Sequence, residues 1–85
     1  MLRSLHEPVS VSLVYDNKTG KSIPRSIVWN NRIYRVTKLG LHHTYKKGNT
    51  LYHVFSLTAN TLFMRLTLDT KTLGWKLEEV YDHGV

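Results

Sequence analysis

The sequence predicts an all-β fold: an antiparallel meander of five to six strands forming a small partly open barrel or a strongly bent sheet. Three observations lead there. Apolar and polar residues alternate with period two in one run after another, which suits half-buried strands. Clusters of Asn, Asp, Gly and Lys separate the runs by hairpin-length turns. The chain has 85 residues, 41% hydrophobic and 21% charged, apolar enough for a core but too short for a thick one. A flat sheet of this size would leave open edges and an uncovered apolar face, so curvature or closure is expected.

Residues 1–8 are expected to be a loose leader, because Arg3, Glu7 and Pro8 interrupt any apolar pattern. A single β domain is expected over residues 9–82, with residues 83–85 as a tail. Strict alternation begins at Val9, with Val9, Val11, Leu13 and Tyr15 on one face and Ser10, Ser12 and Asp16 on the other. Residues 16–21 are turn chemistry. Pro24 has no amide proton to donate, so the next strand is expected from about Ser26.

Residues 27–36 then place two apolar, β-branched and aromatic runs on either side of Asn30-Asn31. Asn tolerates the left-handed backbone that two-residue hairpin loops need. The expected hairpin puts Trp29, Tyr34 and Val36 in a core, with Arg32 and Arg35 carrying charge beside it. It runs to about Lys38, Gly40 marks a bulge or bend, and residues 41–45 continue the sheet. After the turn at residues 46–49, residues 50–58 set Leu51, His53, Phe55 and Leu57 against Tyr52, Val54 and Ser56. Residues 61–69 return with Leu62, Met64, Leu66 and Leu68 on one face and Phe63, Arg65 and Thr67 on the other. Residues 75–81 close the chain. Leu73, Leu77, Val80 and Tyr81 also fit helical spacing, but a strand is expected because everything around them is strand.

Two aromatic motifs stand out. Pro24, Trp29, Arg32, Tyr34 and Val36 spell P-x4-W-x2-R-x-Y-x-V, and Asp69, Trp75, Leu77, Val80, Tyr81 and Asp82 spell D-x5-W-x-L-x2-V-Y-D. Together, over about residues 8–82, they resemble the opening and closing signatures of a family of small uncharacterised bacterial domains, some encoded near translesion DNA polymerases. Asn31 stands where that family more often has Gly. The resemblance implies the fold, a bacterial setting and a link to nucleic acid; it implies no active site.

Charge points the same way. The formal net charge is +6. No acidic residue lies between Asp16 and Asp69, a stretch that holds Lys18, Lys21, Arg25, Arg32, Arg35, Lys38, Lys46, Lys47 and Arg65. Such a surplus leaves a positive field that suits a polyanion. Single strands bind small sheets by stacking bases on exposed rings while Lys and Arg track the phosphates. The expected contacts are Arg32, Arg35, Lys38, Lys46, Lys47 and Arg65, with Tyr45 and Tyr52 as stacking residues. The rival expectation is a protein-interaction module, binding a protein partner or another copy of itself through an open edge strand or an aromatic patch.

Catalysis is not expected. With no cysteine there is no disulfide, thiolate metal site or thiol nucleophile. The glycines occur singly, so no phosphate-cradling loop is present. His42 and His43 are adjacent and point to opposite faces of a strand, which argues against their meeting His53 at one metal ion. No cofactor is expected. No apolar run approaches the ~20 residues of a spanning helix, and the first residues lack a signal-peptide pattern. A cytoplasmic protein without a membrane partner is therefore expected, and the Asn17-Lys18-Thr19 sequon is read as chance.

Overall fold

The computed structural model describes residues 2–82. Six strands follow in order: β1 (Leu2–Asp16), β2 (Lys21–Trp29), β3 (Arg32–Lys47), β4 (Thr50–Ala59), β5 (Leu62–Asp69) and β6 (Gly74–Asp82). Each pairs antiparallel with the next, and β6 returns to β1, so the meander closes into a ring. The tail at residues 83–85 lies outside the described residues.

The turns follow from their residues. Asn30 and Asn31 both have positive φ, 53° and 62°, the two-residue combination whose twist matches the flanking strands. Asp16 Oδ1 accepts a hydrogen bond from the Lys18 amide at 2.9 Å. Asp69 Oδ1 accepts from the Lys71 amide at 2.8 Å. Both aspartates thus close their turns locally, as short acids do.

β1 and β3 are corner strands. Residues 2–9 of β1 pair with β6, and from Ser10 onward β1 pairs with β2. β3 pairs with β2 over Arg32–Arg35 and with β4 from Val36 onward. The ring is thereby flattened into two layers, a broad one of β4, β5 and β6 with parts of β1 and β3, and a narrow one around β2. Between them lie Ile27, Trp29, Tyr34, Leu57, Ala59, Met64, Leu66, Leu77 and Val80, all buried. Leu5, Val9, Val11, Val36, Leu62 and Trp75 pack around that cluster.

Two expectations change. Residues 2–8 are strand rather than a loose leader: Arg3 pairs with Val80 and Glu7 with Leu77. The break in pattern is absorbed by a register shift between Ser4 and Glu7, with His6 at φ 62°. Leu5 packs on the core, and Glu7 Oε1 accepts the indole N–H of Trp29 at 3.0 Å, the partner a buried indole needs. Second, β2 begins at Lys21 and contains Pro24. Pro24 sits beside the register shift at Ser12/Leu13, where β2 pairs with β1 alone, a position that tolerates a missing amide proton. The bulge expected at Gly40 is present, and β3 continues through it as one strand. The strand shifts register between Val36 and Lys38 and again between Leu39 and His42.

Candidate nucleic-acid interface and an adjoining cleft

In an up-and-down ring, alternate turns share an end. The turns after β1, β3 and β5 therefore lie together, bringing Lys18, Lys21, Lys46, Lys47 and Lys71 to one end against Asp16 and Asp69. The two aspartates face inward into their own turns. This end is positive because of connectivity, not because the lysines are close in sequence.

Tyr45 and Tyr52 are cross-strand partners in the β3–β4 hairpin. Their rings stack with centroids 5.0 Å apart and planes 16° from parallel. Tyr45 is 44% exposed, so the pair offers an aromatic surface to solvent. Directly after it come Lys46 and Lys47, in register with Leu51 and Thr50. The tyrosines border a surface groove of about 390 Å³ that Lys47 and Lys76 also line, together with Glu78 and Asp69.

The other expected contacts are dispersed. Arg32 lies at the opposite end, in a hollow with Arg3, Asn60 and Asp82. Arg35 pairs with Ser26 and Lys38 with Thr58, on exposed middle stretches of β3. Arg65 forms an ion pair with Glu79, its cross-strand neighbour on β6, so its charge is met within the protein. A second pairing on the same outer face joins His6 Nδ1 to Glu78 Oε1 at 2.9 Å. Glu79 thus meets the charge of Arg65 on the outer face, while Glu78 also borders the groove beside Tyr45 and Lys47. The eight residues do not make one patch: Tyr45, Lys46, Lys47 and Tyr52 come together, and Arg32, Arg35, Lys38 and Arg65 do not join them.

Sequence reasoning missed a second feature at the same end. Beyond Ser12 the β1–β2 hairpin leaves both β6 and β3 and becomes a two-stranded arm. Between this arm and the broad layer opens a cleft of about 430 Å³. Leu13, Ile23, Leu39, Phe55, Leu68 and Trp75 form its apolar walls, and Lys21, His42 and His53 also line it. No Asp or Glu among the described residues lines it. His42 lies flat on Phe55, centroids 4.3 Å apart and planes 1° from parallel, and Phe55 leans on Trp75 at 5.5 Å.

His42 Nε2 and His53 Nδ1 are 2.8 Å apart. One of these nitrogens donates and the other accepts, so the pair holds one proton between the facing atoms. His42 has its pKa lowered from the usual 6.5, first by its partial seating in the cleft and then by His53, Lys21 and His43. His43, one residue on, lines the outer face instead, with Tyr45 and Val54. No group of three or more metal-ligating side chains occurs among the described residues. The signal that could have revealed the cleft was His53, placed by alternation on the apolar face of its strand with Phe55 and Leu57.

Searches of protein-family models, curated proteins and solved structures find no match to this chain.

Proposed function

We propose that the chain is a non-enzymatic binding domain for single-stranded nucleic acid, taking the strand across the lysine end of the ring. The observation that supports this most is the Tyr45–Tyr52 stack, half-exposed beside Lys46 and Lys47 on the rim of a groove. A base can extend such a stack at about 1–3 kcal/mol. Phosphates on either side would be met by Lys46, Lys47, Lys71 and Lys76. Arg32, Arg35, Lys38 and Arg65 are not needed for this mode. The resemblance to bacterial domains near translesion polymerases agrees with it and suggests action in the cytoplasm.

The test is a labelled oligothymidylate titrated at several salt concentrations. Binding should weaken with a log–log slope of about −0.7 per phosphate neutralised. Replacing Lys46 and Lys47 by Gln should reduce the slope by about 1.4, and Tyr45→Ala should cost about 1–3 kcal/mol at any salt. Absence of binding at low salt refutes the proposal.

One observation favours a second reading, a protein-interaction module. β2 pairs with β3 only over Ser26–Trp29 and Arg32–Arg35, so strand edges are left open to an added strand. An oligonucleotide that fails to bind, with a protein partner whose capture survives nuclease, would favour that reading.

A further inference from the structure

We infer that the cleft at the lysine end is a binding site for a flat, apolar acid: an aromatic ring system carrying one carboxylate. The inference does not rest on nucleic-acid binding: of the cleft's described residues only Trp75 also lines the groove beside Tyr45 and Tyr52.

Size and lining give the class of ligand. A volume of about 430 Å³ falls within the range of small-molecule sites, ~300–1,000 Å³. The inner wall is aromatic, Phe55 and Trp75 in contact with each other, and His42 extends it. Flat rings suit such a wall through offset or tilted packing. Leu13 and Leu39, 44% and 37% exposed, form the opposite lips and are the apolar surface a ligand would cover.

Charge gives the polar group. Among the described residues Lys21 is the one Lys or Arg lining the cleft, and no carboxylate lines it. Its ammonium is a compact, mobile point charge, suited to a carboxylate. The His42–His53 pair can donate a further ring N–H to the same group, since each imidazole keeps one nitrogen outside their mutual hydrogen bond. An apolar cation has no partner here.

The two tryptophans make the test direct. Trp75 lines the cleft, whereas Trp29 is buried and hydrogen-bonded to Glu7. Titration with 2-naphthoate, followed by the indole N–H resonances, should move the Trp75 signal and leave Trp29 in place. The uncharged 2-naphthamide should bind about 10-fold more weakly. Lys21→Gln should bring acid and amide to equal affinity, and Leu39→Trp, which fills the cleft, should abolish both. The double substitution of Lys46 and Lys47 by Gln should leave naphthoate binding unchanged, separating this site from the outer face. Equal binding of acid and amide by the unaltered protein overturns the inference. So does naphthoate binding that survives Leu39→Trp in a variant whose Trp29 resonance shows it folded, or a Trp75 signal that never moves.

Discussion

His42 stacks on Phe55 and is hydrogen-bonded to His53. Its partial seating in the cleft, and then the nearby charges of His53, Lys21 and His43, favour its neutral form. Because its folded pKa is below the unfolded value, the unfolded chain binds more protons in that window. Its contribution to stability is therefore present above about pH 6.5 and is lost as the pH falls through the lowered folded value. Urea midpoints measured between about pH 7.5 and about pH 5 should fall on acidification. In His42→Phe, which keeps the ring stack and removes the proton site, that fall should be shallower. An identical pH profile would show that His42 is not the group responsible. Arg65 makes the complementary point. It was expected to carry free charge, and alternation did place it on the solvent face, but nothing local to residue 65 announces Glu79 across the ladder. Ion pairing between strands is a register property, and the sequence around residue 65 does not state its register with β6.

Among the elements, β3 sets the shape of the molecule. It is long enough to serve both layers, and two register shifts let it bend from one to the other. Gly40 lies within the second shift, between Leu39 and His42. A Cβ there would sit 2.8 Å from the Ser56 carbonyl oxygen, closer than real Cβ contacts, and the obstacle is backbone. Gly40→Ala should accordingly lower stability by about 1–3 kcal/mol, through forced separation of β3 and β4, as read from the urea midpoint. Gly40 also lines the cleft, so naphthoate affinity should drop with it. Much of this element pattern could be read in advance. The facing sets Leu62/Met64/Leu66/Leu68 and His53/Phe55/Leu57 point inward as alternation requires, and Asn30-Asn31 forms the tight turn. The cleft was hidden because it arises where β1 and β3 change partners, and partner changes leave no local mark beyond an isolated Gly or Pro. The two aromatic motifs also read differently once placed. Trp29, Tyr34, Leu77 and Val80 are core residues, so the motifs describe how the ring packs more than what it binds.

At the scale of the whole molecule, the ring depends on the segment that looked least structured. Residues 2–7 give β6 its second partner, add Leu5 to the core and satisfy the Trp29 indole. A small domain has only about 5 kcal/mol of stability to lose. Deleting residues 2–7 should therefore abolish the cooperative thermal transition and the near-ultraviolet circular dichroism of the buried tryptophan. Glu7→Ala alone should cost about 1–3 kcal/mol, since the indole donor is left without its acceptor. A truncated chain that melts with unchanged midpoint would show that the β1–β6 seam is dispensable.

That seam has a kinetic side. Arg3 and Val80 lie opposite each other, so the ladder joining them spans nearly the full length of the polypeptide. The five hairpin ladders can each form from neighbouring strands, at low loop-closure cost, whereas the sixth must wait for the chain's two extremes to find one another. Folding should thus be slow for so short a chain, with the late barrier at the junction of the first and last strands. Until that junction forms, the unjoined sheet exposes sticky margins, and the nascent protein is at its most aggregation-prone.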